Sequence, residues 1–169
     1  LAEGLLIICT GKMTKKIDQF QNLDKIYTGK FFLGATTPSY DLETEVTSKK
    51  SINNITENLI SETLERFKGK IIQTPPIFSA IKHKGKKLYE FARKGETVKI
   101  KEREVFISEF LITKYQLPEL HFLVNCSKGT YIRSLANDFG KKLKCGAYLS
   151  KLNRTATVSY THLTLPTST

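Results

Sequence analysis

The chain of 169 residues carries 27 Lys and Arg against 16 Asp and Glu, a formal net charge of +11, and 40% of its residues are hydrophobic. This length and apolar content suffice for one domain with a buried core, and the basic balance favours an acidic partner, with nucleic acid ahead of an anionic membrane surface. No window approaches the about 18 apolar residues of a transmembrane helix and no signal peptide is recognisable, so we expect a cytoplasmic protein without a membrane partner.

The first part of the chain predicts a strand, a helix and a second strand. Leu5–Cys9 is an apolar run whose length suits a strand. A helix follows, because apolar residues recur at helical spacing in Met13, Ile17 and Phe20. Alternating residues then predict a strand from Tyr27 to Ala35.

The next predicted element is a helix that begins after residue 54. Asn54 with Glu57 forms the pattern of an N-terminal cap, and Gly69 is expected to end the helix. Its apolar residues share one face, formed by Ile60, Leu64 and Phe67. We interpret this helix as scaffold.

The second half of the chain continues the mixture of helices and strands. Residues 86–94 are interpreted as a short helix that Gly95 ends, and Val105–Thr113 has the β-branched and aromatic residues typical of a strand. Strict alternation follows in Leu120, Phe122, Val124 and Cys126. After a polar turn, helical spacing relates Ile132, Leu135, Ala136, Phe139 and Leu143. This succession predicts an α/β (α+β) protein.

Tyr131 and Arg133 lie at the start of the last predicted helix but outside its apolar stripe. A helix start offers unpaired N–H groups and a partial positive charge, and Lys128 beside Gly129 adds a cation where the backbone can be approached closely. An anion would be stabilised there. The alternative is that Tyr131 packs on a neighbour while Arg133 is solvated, and the residues alone leave these interpretations equal.

Lysine and arginine are concentrated in several runs, at residues 82–87, 93–94, 99–101 and 141–144. One charged run is usually a solvated face, but several runs with aromatic residues between them are typical of a groove that follows a phosphate backbone. The aromatic residues are Tyr27, Phe78, Tyr89 and Tyr131. Within the first run, Lys84, Lys86 and Lys87 are the candidate phosphate-binding residues. RNA binding is therefore favoured over solubility alone.

Cysteine and histidine form no recognisable metal site. The cysteines are odd in number and lack a Cys-x-x-Cys pair, and the histidines have no carboxylate or thiol at ligand spacing. These residues are Cys9, Cys126, Cys145, His83, His121 and His162. We expect neither a disulfide nor a bound metal.

Four longer segments carry a family resemblance: LAEGLLIICTGKMTKKI, KIYTGKFFLGATTPSYD, PPIFSAIKHKGKKLYEFARKGE and CSKGTYIRSLANDFGKKLKCGAYLSKLNRT. In this order they resemble the TruB family of tRNA pseudouridine synthases, and its bacterial branch more than the relatives that work with guide RNAs. The resemblance extends from Leu1 to about Tyr160. It implies the pseudouridine synthase fold, with a mixed, largely antiparallel central sheet flanked by helices and truncated at the N-terminus.

The resemblance implies an enzyme that isomerises one uridine in the T-loop of tRNA to pseudouridine. It implies no cofactor and no metal. The uridine must be flipped out of the loop before its base can be detached, turned and rejoined through C5. The implied partner is the T-arm of tRNA, and we expect a monomer.

The resemblance also assigns residues by their place in the motifs. Tyr27, in KIYTG, corresponds to the tyrosine that stacks on the flipped base and assists proton removal from C5; the alternative is a strand aromatic that faces the core. Tyr131 corresponds to a second pocket tyrosine, and Arg133 to the arginine that pairs with the catalytic carboxylate. Leu152, in YLSKLNR, corresponds to an apolar wall of the uracil site, although on its own it would be interpreted as core.

In the family the nucleophilic aspartate comes just before the segment that corresponds to Leu1–Gly4. We therefore expect that aspartate upstream of Leu1, and we expect the 169-residue chain alone to be inactive. Residues 1–160 are interpreted as a partial catalytic domain and 161–169 as a tail that need not be native. The alternative functions are a non-catalytic RNA-binding module and a tRNA folding helper.

Overall fold

The fold is built on one central sheet with helices packed against it, and the computed structural model describes residues 2–157. The strands are β1 (Ala2–Gly4), β2 (Lys25–Leu33), β3 (Ala35–Thr36), β4 (Ser48–Lys49), β5 (Gly69–Gln73), β6 (Lys82–His83), β7 (Lys86–Lys87), β8 (Arg103–Gln116), β9 (Glu119–Cys126) and β10 (Ala147–Thr157). The helices are a 3₁₀ helix (Gly11–Lys16), α1 (Ile17–Gln21), α2 (Glu57–Glu65), α3 (Leu88–Arg93) and α4 (Ile132–Lys142).

The central sheet has six strands in the order β1, β10, β2, β9, β8, β5. Only the pairing of β1 with β10 is parallel within this sheet, and the other four pairings are antiparallel. Two short hairpin-like pairs, β3 with β4 and β6 with β7, lie outside it. The expected mixed, largely antiparallel sheet flanked by helices is therefore confirmed.

The core lies on one face of this sheet, where α2 and α4 pack. Along β9 the side chains alternate as predicted, with the even-numbered residues from Leu120 to Cys126 buried. The predicted stripe of α4 is also buried, and Phe139 from this stripe meets Phe31, Phe67 and Phe110 with ring centroids 5.7 to 5.9 Å apart. Offset and edge contacts of this kind stabilise an aromatic core beyond the area that they bury.

The strand predicted at Leu5–Cys9 is wrong. The parallel ladder ends near Gly4, whose φ of +105° turns the chain, and the last ladder-like bond runs from the Leu5 N–H to the Arg154 carbonyl at 2.8 Å. Leu6 and Ile8 are 70% and 77% exposed, because no helix or strand within residues 2–157 covers them. An apolar run forms a buried strand only where both of its faces are covered. The helical segment predicted next is present, with its first part in the tighter 3₁₀ form.

The cap predicted at Asn54 is also wrong, although the helix itself is present. Thr56 occupies the N-cap position of α2, and its hydroxyl accepts a hydrogen bond from the Leu59 N–H at 3.2 Å. The helix ends at Glu65 rather than near Gly69, and Phe67 reaches the core from the turn that follows. Since Thr and Asn both cap helices well, the sequence pattern did not distinguish residue 54 from residue 56.

Besides the three-residue β1, two further strands of the central sheet were not predicted. β5 is a short edge strand, and β10 contains a bulge between Leu149 and Lys151 that interrupts its alternation. No helix among residues 2–157 is both long enough and apolar enough to span a bilayer.

The two cap assignments can be separated by mutation. We expect Thr56→Ala to lower the free energy of unfolding by about 1 kcal/mol, because an N–H in the first turn of α2 loses its acceptor. Asn54→Ala, the matched control, should change it by less than about 0.5 kcal/mol. Urea unfolding of both variants measures the difference, and equal losses would contradict the cap seen at Thr56.

Candidate active site

The start of α4 is fixed by a buried amide from β5. Gln73 is 1% exposed; its Nε2 donates to the Tyr131 carbonyl at 3.2 Å and its Oε1 accepts from the Tyr131 N–H at 3.0 Å. The Ser134 hydroxyl also donates to the Thr74 carbonyl at 2.7 Å. One glutamine therefore satisfies both backbone groups of Tyr131 and holds this residue extended at the N-cap position. The Tyr131 N–H is therefore already paired with a side-chain oxygen.

Tyr131 packs on a cation. The guanidinium carbon of Arg103 lies 5.5 Å from the centre of the Tyr131 ring, within the range of a cation–π contact. Arg103 begins β8 and lies opposite Gln73 in the ladder between β5 and β8. The backbone and the ring of Tyr131 are thus positioned from neighbouring strands.

Arg133 is not a solvated side chain, so this part of the alternative is wrong, whereas Tyr131 does pack on a neighbour. Its Nη2 donates to the Phe78 carbonyl at 2.9 Å, and its Nη1 donates to the Ser39 carbonyl at 3.4 Å. Nη1 also lies 3.6 Å from Oδ2 of Asp41. Arg133 therefore ties two loops, one around residues 39–41 and one around residue 78, to the start of α4.

Asp41 is a site residue that the sequence did not reveal. It is 5% exposed, and its Oδ1 accepts from the Ser39 hydroxyl at 2.7 Å and from the Glu43 N–H at 2.9 Å. A carboxylate held by its own turn in this way presents its second oxygen to the guanidinium of Arg133. The turn residues around Asp41 were a signal of a loop, but not of a partner, because Ser39 and Arg133 are 94 residues apart.

Tyr27 lies on β2 at the edge of the core. Its ladder neighbours are Val124 on β9 and Arg154 on β10, and its ring packs against the core cluster. Burial raises the pKa of the Tyr27 phenol, with a further rise from Cys126, while contact with Arg154 lowers it. The Tyr27 ring thus packs against the core, as the alternative has it, and its hydroxyl lies beside the cation of Arg154; stacking on a flipped base stays a prediction.

Leu152 is close to Tyr27 because β10 pairs with β2. It lies opposite Gly29, two residues along β2 from Tyr27, and it also packs against the core cluster. Residues two apart on one strand share a face, so Leu152 and Tyr27 belong to the same side of the sheet. Gly29 has no room for a side chain, since an added Cβ would meet the Lys151 carbonyl and the Phe122 ring.

The three candidate lysines lie on the β6–β7 hairpin, apart from the other candidates. Lys84 and Gly85 form its turn with φ values of 48° and 81°, while Lys86 and Lys87 are exposed on β7. The Nζ of Lys87 lies 5.5 Å from the centre of the Tyr89 ring. No hydrogen bond or ion pair joins these lysines to Tyr27, Tyr131 or Arg133 in the part of the chain that the structure describes.

Sequence comparison decides the family. A model of the TruB family pseudouridylate synthases, N-terminal domain, matches residues 1–132. The chain belongs to the TruB family. It is 57% identical over 160 residues to tRNA pseudouridine synthase B of Flavobacterium johnsoniae, covering 95% of this chain and 70% of that protein. It is 50% identical over 155 residues to the synthase of the same name from Phocaeicola vulgatus, covering 92% of this chain and 66% of that protein.

Solved structures of the same fold are more distant in sequence. A Cbf5–Nop10–Gar1 complex contains a chain that matches 92% of this one with a TM-score of 0.67 and 24% identity. An H/ACA RNP bound to a substrate RNA containing 2′-deoxyuridine contains another, with a TM-score of 0.58 and 20% identity. This TruB family chain spans about two thirds of the length of the sequence relatives, and it covers 37% and 33% of those structural chains.

The position predicted for the nucleophilic aspartate, upstream of Leu1, lies outside the described residues, as does the predicted tail at 161–169. Its pairing with Arg133 stays a prediction. The carboxylate that Arg133 does approach is Asp41.

The pair of Arg133 and Asp41 should stabilise the fold. In a double-mutant cycle of Arg133→Ala and Asp41→Ala, we expect a coupling free energy of about 1 to 3 kcal/mol, because removing either partner leaves a poorly solvated charge. The control cycle uses Lys68 and Glu65, an exposed pair with a 2.6 Å contact, where the coupling should stay below about 0.5 kcal/mol. Urea unfolding gives both values, and equal couplings would contradict the structural role of Asp41.

Proposed function

We propose that this protein is a tRNA pseudouridine synthase that isomerises a uridine in the T-loop of tRNA. The observation that carries the proposal is the 57% identity, over 95% of the chain, to a protein named tRNA pseudouridine synthase B. The positions of the four pocket candidates support it: Tyr27 and Leu152 share one face of adjacent strands, and Tyr131 and Arg133 share the start of α4. We also propose that it works as a monomer in the cytoplasm.

The reaction conserves all atoms of the nucleotide. The bond between N1 of the uracil and C1′ of the ribose breaks, the base turns, and C5 bonds to C1′. C5 loses one proton and N1 gains one, so the reaction consumes no oxidant, reductant or cofactor. A stacked base cannot turn, and the uridine is therefore flipped into the pocket at a cost of a few kcal/mol, roughly the amount that aromatic stacking and phosphate contacts offset.

Tyr27 and Leu152 are proposed to hold the flipped uracil. The ring of Tyr27 stacks on the base, and Leu152 forms an apolar wall beside it. Because burial raises the pKa of the Tyr27 phenol, its hydroxyl stays protonated at neutral pH. A neutral phenol can donate a hydrogen bond to the base or relay a proton without placing a negative charge next to it.

Arg133 is proposed to align the nucleophilic aspartate that the family places upstream of Leu1. The guanidinium is already held by two backbone carbonyls and by Asp41, so little side-chain entropy is lost when a further carboxylate binds. Lysine would not reproduce this arrangement, because it has no planar fork of donors. The network around Arg133 favours an enzyme over a non-catalytic RNA-binding module or a tRNA folding helper, which would need no such positioned cation.

Activity tests the assignment directly. The chain extended by its native upstream residues, ending in Asp-Pro before Leu1, should form pseudouridine in a T-arm RNA, whereas the 169-residue chain alone should not. In the extended protein, Arg133→Ala should cost about 2 to 5 kcal/mol of transition-state stabilisation with little change in RNA affinity. Tritium release from C5-labelled uridine measures turnover. An active 169-residue chain, or an inert extended protein, would overturn the proposal.

The basic hairpin and the pocket should respond differently to mutation. Reversing the charge of Lys84, Lys86 and Lys87 together should weaken binding to every RNA alike and reduce its salt dependence, because phosphate contacts are sequence-independent. Tyr27→Ala should weaken only an RNA with a flippable uridine, by about tenfold, since stacking contributes about 1 to 3 kcal/mol per base. Fluorescence anisotropy with a T-arm and with a fully paired duplex separates the two. Equal losses of Tyr27→Ala on both RNAs would contradict its place in the pocket.

A further inference from the structure

A cleft within residues 2–157 lies beside the candidate active site rather than within it. It has a volume of about 900 Å³ and runs between the start of β8, the turn at residues 127–130, α1 and the end of β10. Five cations line it, Lys25, Lys101, Arg103, Lys128 and Arg154, against the two carboxylates of Glu102 and Glu104. Its floor includes apolar side chains, among them Ile17 and Val105.

Two of these cations connect the cleft to the pocket tyrosines. Arg154 lies opposite Tyr27 in the β2–β10 ladder, and Arg103 covers the ring of Tyr131 at 5.5 Å. Each tyrosine that the family resemblance places in the uracil pocket therefore has a cleft arginine beside it. These two contacts place the cleft next to both tyrosines.

Most cations of the cleft already have acceptors within the protein. Lys25 donates to the carbonyls of Gln21 and Leu23 at 2.6 Å, and the Nε of Arg154 donates to the Leu5 carbonyl at 2.7 Å. Burial, and then the nearby Arg154, lower the pKa of Lys25, which indicates that the positive charges are crowded. An anion in the cleft would relieve this repulsion.

Arg103 differs from these cations. Among the described residues, no hydrogen bond or ion pair engages its guanidinium, and its one recorded contact is the Tyr131 ring. Its Nη1 lies 3.4 Å from where a Cβ on Gly129 would be, over the turn that begins α4, and Gly129 has a φ of +75°. Among the described residues, the N–H donors of Arg103 are therefore unpaired, and they lie beside a backbone that a ligand can approach closely.

We propose that this cleft binds the sugar–phosphate backbone next to the flipped uridine, with Arg103 as the residue that positions one flanking phosphate. The inference rests on the proposed function and extends it to a second surface. RNA fits better than a small free anion, because a cleft of about 900 Å³ with five cations along it exceeds the size of one phosphate group. Arg103 then acts on the base through Tyr131, so that the phosphate and the uracil are positioned by one stacked pair.

The experiment combines a backbone scan with an arginine variant in the complete protein that carries this chain. A series of T-arm RNAs, each with one neutral methylphosphonate at or beside the target uridine, is titrated against wild type, Arg103→Ala and Arg66→Ala. Arg66 is the matched control, an exposed arginine at the end of α2 that lines no part of the cleft. Thermal unfolding of each variant checks that the fold is retained.

We expect one methylphosphonate to weaken wild-type binding by about tenfold, as for the loss of one charge-assisted hydrogen bond. The same substitution should cause no further loss in Arg103→Ala, whose log–log salt slope should be smaller in magnitude by about 0.7 to 0.9. Arg66→Ala should behave as wild type in both measurements. Arg103→Lys should keep the salt slope but recover the affinity only in part, because lysine lacks the planar stack on Tyr131.

Two results would overturn the inference while leaving the proposed function intact. One is that wild type binds and turns over the RNA, but no methylphosphonate has an effect that depends on Arg103. The other is hydrogen exchange in which residues 101–105 and 127–130 are as protected without RNA as with it, which would mean that another part of the protein fills the cleft. Failure of wild type to bind any T-arm RNA would overturn both the inference and the proposed function.

Discussion

The buried amide of Gln73 is the contact on which the candidate site depends. It satisfies both the N–H and the carbonyl of Tyr131, and it does so from the last residue of an edge strand. A side-chain amide carries a donor and an acceptor side by side, so it can pair with both backbone groups of one residue without introducing a charge. Because Tyr131 directly precedes α4, the same contact also fixes the position of Arg133, the second residue of the helix.

Much of the architecture could be predicted because its signals are local. The alternation in β9 and the helical spacing in α4 were confirmed, since each element buries one face and exposes the other. The run at Leu5–Cys9 gave a wrong prediction for the opposite reason: without alternation, the strand depends on covering layers that the run itself does not encode. The short strand β5 and the bulged β10 carry weak periodic signals, and they were missed.

The site could be predicted only in part. Whether a site residue could be predicted again depends on how far along the chain its partners lie. Motif resemblance selected Tyr27, Tyr131, Arg133 and Leu152 as candidates, because each lies in a segment that matches a family motif. Asp41, Gln73 and Arg103 act through partners far away in sequence, and a single chain does not reveal such pairs. Composition left Arg133 undecided between a solvated and a bound state, and only the loops at Ser39 and Phe78 decided the question.

The anchoring of the segment after Phe78 has a mechanical consequence. Its base is fixed twice, by Arg133 on the Phe78 carbonyl and by the Leu88 N–H on the Ile81 carbonyl at 2.8 Å. Between these points the lysine-bearing hairpin is held by its own short ladder, and by ring contacts of His83 with Phe91 and of Lys87 with Tyr89. Its tip, the turn at Lys84 and Gly85, makes none of these contacts. Because local order is lowest where few contacts hold the backbone, we expect the tip to be the part of this segment that adapts to a large ligand, while the anchored base keeps the Phe78 carbonyl on the guanidinium of Arg133.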